Sequence, residues 1–241
     1  IYLVEMNILI TGATGFLGKS IIQSLIYNRN INITIAIRDE NTFFNKEDFA
    51  EYKIINWNSD ESILEICKNQ DIIIHCAGMN SFDCEKNPIK AINFNALTTA
   101  KFAKYANESL VKKFIYFSTA HVYSNNLKGF INENNITTNV HPYASTHKAA
   151  EDFVLWNHSF EGMNCFCLRL SNVIGIPTGL NCNSLNLFVN NICKQLIETN
   201  KIILNSNGNQ RRNFVTLSDI QNLIKFLVDI DSLKFNEYPV F

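Results

Sequence analysis

The sequence carries no surplus of charge. Its 21 Lys and Arg stand against 22 Asp and Glu, a formal net charge of -1. Without a basic stripe, nothing electrostatic recommends nucleic acid or an anionic membrane as partner. Long apolar runs are missing as well: none approaches the roughly 20 residues a spanning helix requires. No basic-then-apolar leader opens the chain, and Met6 reads as the start, with residues 1–5 ahead of it. Proline (4) and glycine (9) are scarce. The asparagine-rich stretches at 125–139 and 181–209 therefore read as loops and compositional bias, not as low-complexity linkers. The seven cysteines, an odd number, are scattered: Cys67, Cys76, Cys84, Cys165, Cys167, Cys182 and Cys193. Only Cys165 and Cys167 are neighbours, and no second pair completes a zinc site. They read as buried reduced thiols of a cytoplasmic protein, with no metal expected.

What is present is a globular composition, 46% hydrophobic and 18% charged, in a chain long enough for one large domain with a small appendage. Short Ile- and Val-rich runs alternate with segments of helical period, the pattern of a parallel sheet covered on both faces. Strands are expected at 7–11, 34–37, 52–55, 72–76, 113–118 and 165–170. Helices are expected at 16–28, 60–68, 89–109, 143–159, 185–199 and 219–229, the last capped by Ser218. Residues 238–241 resemble the beginning of a further strand, which suggests a truncated chain.

Between the first strand and the first helix, residues 11–18 read TGATGFLG, with Gly12, Gly15 and Gly18. Glycine permits the tight turn and a close approach of backbone to a pyrophosphate, while the helix N-terminus supplies N–H groups and the positive dipole end. This context makes a loose motif specific and predicts an α/β, Rossmann-type doubly wound parallel sheet binding NAD(P). An acid about 20 residues on would favour NAD. Arg38 stands there instead, placed to take a 2′-phosphate, and Asp39 falls late for the acid role; NADP is slightly favoured over NAD.

Residues 143–151 then read YASTHKAAE. Tyrosine and lysine at i and i+4 share a helix face, where the ammonium lowers the phenol pKa and holds a cofactor ribose. Here the i+4 residue is His147. Lys148 is one place late and points about 140° away from Tyr143 on a regular helix.

With these two motifs in order, the chain resembles the extended short-chain dehydrogenase/reductases, in particular the NAD-dependent epimerase/dehydratase group acting on nucleotide sugars. The resemblance runs from about residue 7 to 241. DIIIHCAG at 71–78 resembles the fourth strand, where Ala77 and Gly78 let the cofactor approach. AINFNALTTA at 91–100 resembles the central helix whose asparagine, here Asn93, supports the active-site backbone. FSTAHVYS at 117–124 puts the catalytic hydroxyl on Thr119. LRLSNVIG at 168–175 and RRNFVTLSDI at 211–220 place substrate-diphosphate contacts on Asn172 and Arg212.

The resemblance implies a catalytic set of Thr119, Tyr143 and His147. It implies a cofactor set of Gly12, Thr14, Gly15, Phe16, Leu17, Gly18, Arg38, Ala77, Gly78, Asn93, Tyr143 and His147, and a substrate set of Thr119, Asn172 and Arg212. Residues 6–173 would form the NAD(P)-binding domain and 174–241 a partly interleaved substrate-binding region. A homodimer through the helices at 89–109 and 143–159 is implied too. Two departures stand out. An asparagine of residues 56–58 would replace the acid that meets the adenine, and His147 replaces lysine.

Tyrosine, with a pKa near 10, needs a nearby cation to oxidise a sugar at neutral pH, whereas reduction needs it protonated. A mostly neutral histidine therefore tilts the expectation towards a keto-sugar reductase over an epimerase. Family 4,6-dehydratases follow the catalytic Thr with Asp and Glu; Ala120 and His121 stand here, so elimination lacks its acid–base pair. His121 itself reads as a space-filling histidine. The competing class is a catalytically impaired dinucleotide-binding sensor or partner protein.

Overall fold

The computed structural model describes residues 5–39, 51–124, 129–177, 185, 187–204, 206–230 and 239–241. Cys182 and Tyr238 lie outside the described residues. Six parallel strands, β1 (Met6–Thr11), β2 (Ile31–Ile37), β3 (Glu51–Ile54), β4 (Ile72–His75), β5 (Lys113–Thr119) and β6 (Asn164–Leu170), form one sheet in the order β3-β2-β1-β4-β5-β6. This is the doubly wound α/β fold the alternation predicts. The order reverses between β1 and β4, which leaves a crevice at the carboxyl ends of the strands.

Helices cover both faces. α1 (Phe16–Leu25) and α8 (Leu217–Asp229) bury Ile21, Ile22, Ile220, Ile224 and Leu227 against Ile8, Ile10, Ile35 and Ile115. On the other face α2 (Asp60–Cys67), α5 (Thr99–Glu108) and α6 (Pro142–Glu161) enclose Leu9, Ile73, Phe114 and Tyr116. Two short helices, α3 (Ser81–Lys86) and α4 (Pro88–Ala91), lead into a π-helical segment at Ile92–Thr98 and then α5. The single helix expected over 89–109 is thus a rod in three parts. Beyond β6, β7 (Asn172–Ile174) and β8 (Phe214–Thr216) pair in parallel as a small second sheet, flanked by α7 (Phe188–Thr199). Among the described residues no helix is long and apolar enough to cross a membrane.

Several boundaries move for physical reasons. β2 begins at Ile31, three residues early, because Met6 pairs with it before the apolar run starts. The cap of α8 is Thr216, not Ser218: its hydroxyl accepts from the Asp219 N–H, and Asp219 returns a bond to the Thr216 N–H. That reciprocal capping box satisfies two helix-end donors. Pro239 to Phe241 lie along β6 in parallel, with the Cys167 N–H donating to Pro239 O and the Phe241 N–H to Cys167 O. The expected start of a further strand is there.

Two buried charges tie elements together. The Lys113 ammonium donates to the carbonyls of Leu227, Val228 and Ile230, capping the C-terminus of α8 from inside the sheet. A cation there complements the negative dipole end. Glu151 of α6, 0% exposed, receives a bidentate pair from Arg169 of β6 and the hydroxyl of Ser118 on β5. Removing one partner of such a pair strands a buried charge, at a cost of about 3–5 kcal/mol. Arg169→Met should lose stability of that order in urea unfolding, and adding Glu151→Leu should recover much of it. Equal stability of Arg169→Met and the parent protein would contradict this account.

Candidate active site

Two of the three glycines in the loop after β1 have no room for a side chain. Gly12 has φ +66°, and a Cβ on it would lie 2.7 Å from the Cys76 carbonyl carbon. A Cβ on Gly18 would lie 2.3 Å from Gly12 O. Gly15 caps α1 without a side chain, and its N–H closes the turn on Gly12 O at 2.9 Å. The first turn of α1 carries no acid, so its N–H groups and dipole stay available to an anion. Thr14 and Gly15 are exposed at this mouth, and Phe16 and Leu17 are half-buried beside it. The donor set and the missing side chains fit a dinucleotide pyrophosphate.

Other predicted cofactor residues line the same crevice. Arg38 is exposed just beyond β2. The Ala77 N–H donates to the Thr11 hydroxyl, and Gly78 is open on the crevice floor above His147 and Asn95. The Asn56 side-chain oxygen accepts from the Asn58 N–H, and the Asn58 side chain is exposed.

Asn93 is a correction. It is exposed on the outer side of the helical rod, whereas Asn95 is 1% exposed. Asn95 Oδ1 accepts from the Met79 N–H at 2.7 Å, and its amide donates to the Thr146 hydroxyl. The support of the crevice backbone belongs to Asn95. Residues two apart on a helix face opposite sides, so choosing the wrong asparagine reverses the assignment.

Thr119, Tyr143 and His147 come together. Thr119 ends β5, buried, its hydroxyl accepting from the His121 N–H and acting on the nearby Tyr143 phenol. Tyr143 sits in the first turn of α6 behind Pro142, its N–H donating to His141 Nδ1. His147 lies one turn on, its ring 4.5 Å from that of Tyr143 and nearly edge-on. Lys148 points elsewhere and pairs with Asp152.

The electrostatics differ from those of a lysine site. Burial raises the Tyr143 phenol above its ordinary value, opposed by the Thr119 hydrogen bond. Burial, with His121 second, lowers His147 to about 4, so it is neutral at pH 7. Tyr143 at neutral pH is a protonated phenol.

Two residues that the sequence reading leaves out of the site belong to its surroundings. His121 has its ring 6.0 Å from that of Tyr143, and partial burial of the imidazole, with His141 and Arg212 as further causes, lowers its pKa. Tyr116 backs His147, its hydroxyl 2.6 Å from Nδ1. No motif marks Tyr116, whereas His121 falls inside the 117–124 motif, where it reads only as space-filling. Asn172 and Arg212 are brought together from β7 and the strand approach to β8. Arg212 Nη1 meets Asn172 Oδ1 at 3.5 Å, and its guanidinium lies over the Phe188 ring. Among the described residues no group of three His, Cys, Asp or Glu could hold a metal.

A glycine-built anion mouth, Tyr143 of α6 beside the end of β5, and Arg212 beside Asn172 make up the candidate site. The model of the NAD dependent epimerase/dehydratase family matches residues 8–237, and the chain belongs to that family. It is 27% identical over 231 residues to human dTDP-D-glucose 4,6-dehydratase, covering 89% of this chain and 63% of the human protein. Over 225 residues it is 27% identical to GDP-6-deoxy-D-talose 4-dehydrogenase of Aggregatibacter actinomycetemcomitans, covering 92% and 70%. The fold matches UDP-glucose 4-epimerase of Thermotoga maritima, solved with UDP-glucose, at a TM-score of 0.80 and 20% identity, covering 93% and 74%. The chain thus spans about two thirds of its relatives' length.

An imidazole that cannot charge in the fold but can in the unfolded chain makes stability fall as pH drops from 6.5 towards 4. The slope is on the order of 1.4 kcal/mol per pH unit for such a group. His147→Gln should therefore flatten the parent's pH dependence across that window in urea unfolding. A stability difference that is constant with pH would contradict the neutral, buried state.

Proposed function

We propose that the protein is an NAD(P)-dependent oxidoreductase or epimerase of a nucleotide-activated sugar, with reduction of a keto-sugar favoured. The observation that carries this is the Thr119–Tyr143–His147 cluster beside the open phosphate loop, with a neutral imidazole where the family places a cation. A bound nicotinamide would supply or accept hydride. Tyr143, protonated, would give its proton to the substrate oxygen, and Thr119 would orient that oxygen through the shared hydrogen bond. The reverse reaction needs a phenolate, which neither burial nor His147 favours.

Gly12, Thr14, Gly15, Phe16, Leu17 and Gly18 would hold the pyrophosphate, with Ala77 and Gly78 beneath it. Arg38 would take a 2′-phosphate, which supports NADP. Asn172 and Arg212 would grip the substrate diphosphate. Ala120 and His121, in place of the dehydratase acids, count against elimination. The exposed Leu97, Phe153, Trp156 and Phe160 on the helical rod and α6 support a homodimer through those helices. The second reading, a dinucleotide-binding sensor, is favoured by one feature only: the lost cation at His147.

Calorimetric titration with NADPH and NADH should show binding of both, tighter for NADPH, and Arg38→Ala should erase that preference. Tyr143→Phe should leave binding intact and lower reduction of a 4-keto nucleotide sugar by about 10²- to 10⁴-fold. Binding without turnover across a panel of keto and hydroxy nucleotide sugars would transfer the assignment to the sensor. Binding that appears only in His147→Lys would do the same.

A further inference from the structure

Tyr116, in the middle of β5, lies behind the site. It is 1% exposed, and its ring stacks between those of His75 and His147, 5.9 Å from each. Its hydroxyl meets His147 Nδ1 at 2.6 Å. On the opposite edge of the imidazole, Nε2 is buried and without a hydrogen-bond partner among the described residues. That nitrogen faces Gly78 on the crevice floor, where a Cβ would come within 4.0 Å of it.

The proton between Tyr116 and Nδ1 can be placed in two ways. If the hydroxyl donates to Nδ1, one polar group is left over, the Nε2–H. If Nδ1–H donates to the hydroxyl oxygen, two are left over: the tyrosine O–H and the bare Nε2. Each stranded buried group forfeits its hydration without compensation, so the first arrangement wins. Burial reinforces it, since it raises the Tyr116 phenol and keeps the hydroxyl proton in place.

We infer that Tyr116 is a positioning residue, its hydroxyl donating to His147 Nδ1 and so holding Nε2–H beneath Gly78 as a neutral donor for a hydroxyl oxygen of the bound dinucleotide. The inference rests on the dinucleotide reading above and adds a residue to it. A lysine brings a charge and three donors; this pair brings one donor of fixed direction and no charge. The single unpartnered polar atom of the ring is the one that faces the crevice.

The test is nitrogen NMR of the full chain with ¹⁵N-labelled histidine, on the parent protein and on Tyr116→Phe, before and after adding NADH or NADPH. Phenylalanine keeps the ring stack, and a melting curve checks that the variant folds. The parent should show a protonated Nε2 and an unprotonated Nδ1 that accepts a hydrogen bond, and the dinucleotide should shift the Nε2 signal. In Tyr116→Phe the Nδ1 signal should become that of a free ring nitrogen, and dinucleotide affinity should fall about fivefold, the worth of one hydrogen bond. A proton on Nδ1 of the parent, readable even if the variant does not fold, overturns the inference and leaves the dinucleotide reading standing. So does an Nε2 signal unmoved while the dinucleotide binds. If neither dinucleotide binds the parent, the dinucleotide reading fails and takes the purpose of the donor with it.

Discussion

The buried carboxylate of Glu151 is the fixed point on which the site depends. Tyr143, His147 and Glu151 stand at i, i+4 and i+8 of α6, one stripe of one helix. Glu151 holds Arg169 of β6 and Ser118 of β5 at once. Ser118 is the neighbour of Thr119, so the anchor that fixes α6 also fixes the distance from Tyr143 to Thr119. A carboxylate in the interior is costly, and only the bidentate arginine and the hydroxyl together make it tolerable. The same geometry makes any slip of α6 unfavourable, because it would break four hydrogen bonds to a charge.

The opposite wall is set by an absence of side chains. Gly12 brings the turn after β1 against the end of β4, closer than any Cβ allows. Asn95 and the Thr11 hydroxyl then hold the backbone at Met79 and Ala77. The crevice at the reversal of strand order is therefore rigid on both sides, one held by a buried charge and one by backbone contact. Lys113 serves the packing behind it, pinning α8 to the sheet through three carbonyls.

The imidazole that α6 sets beside Tyr143 brings no charge to the site. His75 and His147 are lowered to about 3 and about 4 by burial. Both are neutral at pH 7, so Tyr143 keeps its proton. Arg212 carries its charge beside Asn172 and over the Phe188 ring.

The sequence by itself determined the sheet, its phosphate loop and the family, because period, glycine spacing and motif order are local properties of a chain. It also placed His147 on the face of Tyr143, since a helical register follows from counting. Tertiary structure decided the rest. The π-helical turn and the inward choice of Asn95 over Asn93 depend on what the rod packs against. The cap of α8 at Thr216 depends on where β8 ends. Tyr116 behind His147, and Glu151 between two strands, are contacts across 31 and 33 residues that no local pattern encodes. The charge state of the site followed from burial, and burial belongs to the fold alone.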